Sequence, residues 1–415
     1  MKQLLAYCLS IILCVSFTGC MENYLDLYPE DKITSASFPE NESDIKLLLN
    51  GVYAQLREKE VYNQGLFGFG ITDGATPNAF NWGTDEVFNK LGAGRLSSSD
   101  GGVVTYRWKR CYEIISRANY LLACMDLVDL SEEAKAKYSG ETHFLRGLAY
   151  SVLAETYGGV PIILTDISTE EARSLKRASL EETWQQALDD YEVAITNLGV
   201  DAPEPGRATK GAALGMKMRA YLYQGKYKEV LSCVEQIDAL KKYGLFHSYE
   251  GLFDPANENN KEVLFDIQYI EGENSQGSYI DQYCGTGTGS WTRGSRYVPT
   301  DDLVAAYETI DGSPVDPENP YENRDPRLGF TAVLPGSYFL GYRFPNYLYP
   351  GGAFNHAGNR LKHLSTRKYR IQDESKLPPS GQSYINDIIL RYADDFLCGV
   401  IGSKEDAMTI KSDIK

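Results

Sequence analysis

Two glycine-rich segments of the chain mix aromatic side chains with side chains that form directed hydrogen bonds. The first, TDGATPNAFNWGTDE, covers 72–86, and the second, YIDQYCGTGTGSWTRGSRY, covers 279–297. Aromatic rings offer a flat apolar face, and amide, carboxylate and guanidinium groups offer hydrogen bonds of defined direction. A sugar ring, with apolar C–H faces and a belt of hydroxyls, needs both. We therefore predict a ligand-binding site formed by Asp73, Asn78, Asn81, Trp82, Tyr283, Trp291 and Arg293.

A second interpretation of these segments stays open. Trp82 and Trp291 lie among glycines and polar residues, off any helical stripe, and such side chains also fill the interior of long loops. A third aromatic segment, FPNYLYPGGAFNH, carries Tyr347 and Tyr349 and is a weaker candidate.

Catalysis has little support in the sequence. Its four histidines lack a recognisable motif partner, and the chain contains no Gly-x-Ser-x-Gly, His-Glu-x-x-His or phosphate-binding loop. Paired carboxylates such as Asp301 and Asp302 are adjacent and would diverge on a helix, unlike the facing pair of a glycosidase. The donors in DGSPVDPENPYENRD miss the spacing of a calcium loop, so a proline-rich surface loop is the better interpretation. We predict a non-enzymatic protein without cofactor or metal.

Composition narrows the possible partners. The formal net charge of −16 disfavours binding to nucleic acid, whose phosphates are also negative. The chain has 30 tyrosines and 4 histidines, a ratio that suits a binding surface better than acid–base chemistry. The five cysteines beyond Cys20 are scattered and form no Cys-x-x-Cys, so neither a disulfide framework nor a zinc site is predicted.

The amino terminus has the layout of a secretory signal. One lysine precedes a short uncharged stretch that ends in Thr18 and Gly19, directly before Cys20. A membrane-spanning helix needs about 20 apolar residues, and this stretch is too short. Because the exit resembles a bacterial lipobox, we predict a lipoprotein signal peptide over 1–19 and lipid attachment at Cys20. The alternative is an ordinary cleaved signal.

Helical periodicity dominates the first half of the mature chain. An extended arm over 20–40 precedes helices whose apolar residues recur at three and four positions, and several helix pairs have a tetratricopeptide-like layout. Small residues in GAALGMKMRAYLYQGKYKEV are expected to let another helix approach closely. We predict helical repeats over about 41–245 and a loop-rich portion over about 246–384. A final helix is expected in INDIILRYADDFL.

Several stretches together resemble the SusD/RagB family of surface nutrient-binding lipoproteins. They are CMENYLDLYPEDKIT, HFLRGLAYSVLAETYGGVPIIL, GAALGMKMRAYLYQGKYKEV, RYVPTDDLVAAYETIDG, NRDPRLGFTAVLPG and IILRYADDFL. The resemblance implies one SusD-like domain over 41–396, an all-α tetratricopeptide-like scaffold carrying a loop-rich ligand-binding portion with few short strands. It also implies a lipid-anchored protein of the cell outer membrane, facing outside, that captures glycans for a SusC-like TonB-dependent transporter.

Two alternatives accompany that resemblance. Some family members handle peptides, so a helical-repeat lipoprotein that binds a peptide or protein partner is the second hypothesis. The tail over 397–415 departs from the family, whose members usually continue for many more residues. This departure suggests a truncated or frameshifted product, which could be non-functional.

Overall fold

The computed structural model describes residues 38–57, 73–81, 90–97, 99–270, 277, 297–344, 348, 364–376 and 383–393. Within these ranges most of the regular structure is helical, which confirms the predicted fold class. The helices are α1 Glu42–Tyr53, α2 Val103–Cys124, α3 Glu132–Tyr157, α4 Thr169–Ser174, α5 Leu180–Asn197, α6 Lys210–Tyr223, α7 Tyr227–Ala239, α8 Asp301–Ala306 and α9 Pro326–Thr331. Short 3-10 turns cover Ala54–Arg57, Gly251–Phe253, Pro255–Asn257 and Glu374–Lys376.

Local sequence signals explain where these helices begin and end. The side chain of Asn41 accepts hydrogen bonds from the amides of Ser43 and Asp44 in the first turn of α1. Ser179 and Glu182 form a reciprocal capping box at the start of α5. Gly158 ends α3 with a φ of 74°, a conformation that side-chain-bearing residues rarely adopt.

The long helices pack against one another in chain order. Helix α3 packs against α2 and α5, helix α6 lies between α5 and α7, and α1 rests on α2 and α3. The predicted apolar stripe of α3 is buried in the main core, together with residues from α1, α2 and α5. That stripe consists of Phe144, Leu145, Leu148, Ala149, Val152 and Leu153.

Three cysteines and one tryptophan on the helices contribute to the packed interior. Cys111, Cys124 and Cys233 are buried. Trp108 packs against the core, with its ring centroid 5.2 Å from that of Tyr157. These residues therefore act as core side chains.

Strands in the described part of the chain form short antiparallel ladders. They are β1 Ala79–Asn81, β2 Val263–Ile267, β3 Tyr297–Pro299, β4 Ala332–Val333, β5 Tyr338–Phe339, β6 Tyr342–Arg343, β7 Ser365–Thr366 and β8 Asp387–Arg391. The pairs are β1 with β3, β2 with β8, β4 with β7 and β5 with β6. Each ladder joins segments that sequence periodicity had assigned to loops or to separate elements.

The predicted final helix is wrong over Asp387–Arg391. These residues form β8, which pairs with β2, and among the residues of this stretch that the structure describes a helical conformation is found at Tyr392 and Ala393. A short apolar run such as Ile388–Leu390 fits a buried strand as well as a helix, and its partner across the ladder decides the outcome. Arg219 of α6 adds a side-chain bond of 2.8 Å to the carbonyl of Ile389.

Two glycines of α6 make room for side chains that do not come from a helix. A β-carbon on Gly215 would lie 2.2 Å from Leu390 and 3.2 Å from Leu264, both side chains of the β2–β8 ladder. A β-carbon on Gly211 would lie 2.3 Å from the Tyr243 ring. Close approach is thus made by strand and loop side chains at these two glycines.

No helix in the described part of the chain is both long and apolar enough to cross a bilayer.

Candidate functional site

The β1–β3 ladder connects the two predicted ligand-binding segments. Ala79 lies opposite Pro299, Phe80 opposite Val298 and Asn81 opposite Tyr297. Because the strands are antiparallel, the chain that continues from Asn81 and the chain that arrives at Tyr297 leave the ladder at one end. Segments more than two hundred positions apart are therefore joined at their bases.

A hydrogen-bonded turn precedes β1 and contains two of the predicted residues. The carbonyl of Asp73 accepts bonds from the amide of Thr76 at 2.9 Å and from its hydroxyl at 2.7 Å. The Thr76 hydroxyl in turn accepts a bond from the amide of Asn78 at 3.2 Å. The turn is thus fixed by its own side chains before the strand begins.

Three of the seven predicted site residues lie in the described part of the chain. Asp73 and Asn78 are exposed on the turn, and Asn81 is the last residue of β1. The ladder brings Asn81 to the residue that ends the second segment. Trp82, Tyr283, Trp291 and Arg293 lie outside the described residues, as do Cys20, Tyr347 and Tyr349.

Phe80 is a described aromatic residue of the same site. It is 41% exposed on β1, although the strand residue opposite it, Val298, is buried. Phe80 belongs to the mixed aromatic and polar segment, but the sequence interpretation concentrated on the neighbouring tryptophan. An exposed ring on the strand that directly follows the turn of Asp73 and Asn78 matches the chemistry expected of a sugar platform.

Strand β3 also lies beside β7, and Ser365 of that strand is fully buried. The ladder at the base of the candidate site therefore contacts another strand of the loop-rich portion.

A buried polar cluster in the helical scaffold was missed by the sequence analysis. Arg146 donates to the two carboxylate oxygens of Asp190, at 2.7 Å to Oδ1 and 3.0 Å to Oδ2. His143 Nδ1 lies 2.7 Å from Asp190 Oδ1, and Arg146 also donates to Asn119 Oδ1 at 2.8 Å. The available signal was a histidine and an arginine three positions apart, next to the apolar stripe of α3.

The physical role of this cluster is to join three helices. Arg146 on α3, Asp190 on α5 and Asn119 on α2 are each about 5% exposed or less. Asn119 extends the connection by donating to the carbonyl of Ile163 at 2.9 Å. Burial opposes ionisation of Asp190, but hydrogen bonds from His143 and Arg146 outweigh it and lower the pKa of the carboxyl. Each polar group is satisfied by its neighbours, which is the arrangement of a structural brace.

A second polar cluster holds two carboxylates near the β2–β8 ladder. The amide of Asn386 donates to Glu258 at 2.8 Å, and its side chain donates to Asp266 at 3.1 Å. Burial raises the pKa of Asp266 to about 6 and that of Glu258 to about 7. The side-chain oxygen of Asn386 also accepts the amide of Tyr269, shortly before the second predicted segment begins.

The described ranges contain no group of three or more His, Cys, Asp or Glu side chains placed to hold a metal ion.

Comparisons with known proteins place this geometry in a family context. A family model described as "Starch-binding associating with outer membrane" matches residues 23–222, and a model of the SusD family matches residues 261–398. SusD-like protein P25 of Formosa agariphila is 26% identical over 321 residues, covering 72% of this chain and 58% of that protein. The chain thus spans a little over half the length of this relative.

Solved structures share the fold. A SusD-like carbohydrate-binding protein from Bacteroides fragilis superposes with a TM-score of 0.76 at 25% identity, covering 86% of this chain and 73% of the other. A laminarin-binding SusD-like protein gives a TM-score of 0.71 at 20% identity, with 89% and 82% of the two chains covered.

Proposed function

The chain belongs to the SusD/RagB family, and on that premise we propose that it is a cell-surface lipoprotein that binds glycans and delivers them to a SusC-like TonB-dependent outer-membrane transporter. The family match supports carbohydrate binding and association with the outer membrane. Transfer to a transporter, anchoring through Cys20 and an outward orientation belong to the proposal.

The observation that carries the proposal is the pairing of β1 with β3. Two segments with the composition of a sugar site meet at one ladder, and Asn81 of the first lies opposite Tyr297 of the second. A ligand held between them would contact residues from both halves of the chain. Asp73 and Asn78 are exposed on the turn that precedes this ladder.

The chemistry of these residues suits an oligosaccharide. Phe80 offers an exposed ring face, and the amide of Asn78 and the carboxylate of Asp73 offer directed hydrogen bonds. Trp82, Trp291 and Tyr283 would add further faces, and Arg293 would add a planar donor. The site as proposed needs no metal and no cofactor, because sugar binding rests on stacking and hydrogen bonds.

Affinity electrophoresis of the purified mature chain would test the proposal. The chain would be run through native gels containing laminarin, starch, xylan, pectin or mannan, with serum albumin as a non-binding reference. We expect at least one polysaccharide to retard the chain relative to albumin. Migration unchanged in every gel would contradict glycan binding and would favour the peptide-binding alternative.

A further inference from the structure

Thr300 connects the turn before β1 to the junction between β3 and α8. It follows β3 directly and also precedes α8. Its amide donates to the carbonyl of Asn78 at 3.1 Å, and its hydroxyl donates to the carbonyl of Pro77. We propose that Thr300 is a positioning residue for ligand binding, which holds the turn before β1 against the end of β3, the strand that follows the second segment. This inference rests on the proposed function of the site.

The hydroxyl of Thr300 has a second bond that explains its fixed orientation. Its oxygen accepts the amide of Leu303 at 3.1 Å and thereby caps α8. A hydroxyl has one proton to donate and can still accept. Because the cap uses the acceptor and Pro77 uses the proton, a single side chain joins α8 to the turn before β1.

The turn before β1 is itself held by hydrogen bonds, so a displacement at Thr300 is transmitted to the candidate site. Pro77 and Asn78 end the turn in which Thr76 bonds to Asp73 and Asn78. A shift of Pro77 relative to Thr300 would therefore move Asp73 and Phe80 as well. The position of this turn relative to the end of β3 is thus fixed at Thr300, and a misplacement of about 1 Å is enough to weaken a binding constellation.

The helix caps elsewhere in the scaffold provide a contrast. Ser131 accepts the amide of Ala134 at 3.2 Å at the start of α3, far from the β1–β3 ladder in sequence. Removing that cap tests the effect of losing a helix cap alone. Thr300 combines a cap with bonds to a segment 223 positions away, which a role limited to capping does not require.

Substitutions at Thr300 separate the two roles. Thr300→Asp keeps a good helix cap but has no proton to donate to Pro77 at neutral pH. Thr300→Ser keeps both functions, and Thr300→Val loses both. Ser131→Ala is the matched control for the loss of a cap.

Hydrogen–deuterium exchange would test the positioning role without a ligand. We expect Thr300→Asp and Thr300→Val to speed exchange over 76–81 at least tenfold relative to the parent. Thr300→Ser is expected to match the parent within about twofold, and exchange over 132–157 is expected to stay unchanged in all three. Parent-like exchange over 76–81 in Thr300→Asp would overturn the proposal, and so would an equal acceleration there in Ser131→Ala.

Binding to a polysaccharide that retards the parent gives a second readout. We expect Thr300→Asp to lose at least fivefold in affinity, and Thr300→Ser and Ser131→Ala to retain it. Equal affinity of Thr300→Asp and the parent would overturn the positioning role even if exchange had changed. Failure of the parent to bind any polysaccharide would contradict the proposed function instead. The exchange experiment would still decide whether Thr300 fixes the position of the turn before β1.

Discussion

Asn81 lies directly opposite Tyr297 across the β1–β3 ladder. One residue further along the chain from Asn81 is Trp82, and one residue before Tyr297 is Arg296. The chain beyond Asn81 in the first segment and the chain before Tyr297 in the second therefore meet the ladder at the same end. This relationship is the physical basis for treating them as a single site.

Truncation of the predicted platform residues is expected to weaken glycan binding. Trp82→Ala or Trp291→Ala should each cost more than about 1 kcal/mol of binding free energy, because a stacked aromatic face is lost. Isothermal titration calorimetry with a polysaccharide that the parent binds would measure the loss. Tyr227→Ala is the control, since its ring is 52% exposed on α7. Parent-like affinity in both tryptophan variants would remove them as platforms.

Lipid attachment is expected to depend on Cys20 alone. Cys20→Ala should release the protein from membranes or stall its processing, because each buried methylene of an acyl chain contributes about 0.8 kcal/mol to membrane binding. Membrane fractionation and incorporation of labelled palmitate would measure the change. Cys14→Ala alters another leader cysteine and should leave both unchanged. Continued labelling of Cys20→Ala would show that the anchor lies elsewhere.

The brace between Arg146 and Asp190 is expected to dominate the stability of the helical scaffold. Asp190→Asn leaves the buried Arg146 guanidinium without its counter-charge, a change that costs about 3–5 kcal/mol in comparable sites. Urea unfolding followed by circular dichroism would measure it. The adjacent Asp189→Asn is the matched control, because Asp189 is exposed and should change stability by less than about 0.5 kcal/mol. Equal stability of the two variants would refute a dominant brace.

Asp266 is expected to give the protein an unusual dependence of stability on pH. Burial raises its pKa from 3.8 to about 6, so the folded protein holds this proton more tightly than the unfolded chain. Its contribution to stability is therefore greatest below about pH 4 and is lost as the pH rises through 6. Between pH 4 and pH 7 the free energy of unfolding of the parent should fall by roughly 2 kcal/mol relative to that of Asp266→Asn.

Chemical unfolding of both proteins across that pH range would measure the difference. Asp166→Asn, at an exposed carboxylate, is the control and should follow the parent at every pH. An unchanged gap between the parent and Asp266→Asn from pH 4 to pH 7 would show that Asp266 titrates normally.

The helical part of the fold was predictable because its signals are local. Asn41 and the Ser179–Glu182 pair mark helix starts within four residues of sequence, and the apolar stripe of α3 repeats over several turns. The β8 strand was not predictable in this way. Its conformation depends on Val263–Ile267, which lie far away in sequence, and its short apolar run fits either conformation.

The candidate site was predictable in composition but not in arrangement. Residue types identified Asp73, Asn78 and Asn81, whereas only the ladder shows that their segment meets the one ending at Tyr297. Thr300 gave no compositional signal, because a threonine before two aspartates looks like an ordinary helix cap. The Arg146–Asp190 brace was missed for the related reason that helical periodicity counts apolar residues only.

The bond between Asn386 and Glu258 has a consequence for the order of folding. Its partners are 128 positions apart, whereas neighbouring helices such as α6 and α7 follow one another within a few residues. Closing a long chain loop costs conformational entropy, and the chain loses this entropy before the contact begins to stabilise it. We therefore expect the helix pairs to form first and the β2–β8 ladder to close last. A partly folded chain would then leave the edge of β2 open to pairing with another molecule, and rapid closure by β8 would protect it from aggregation.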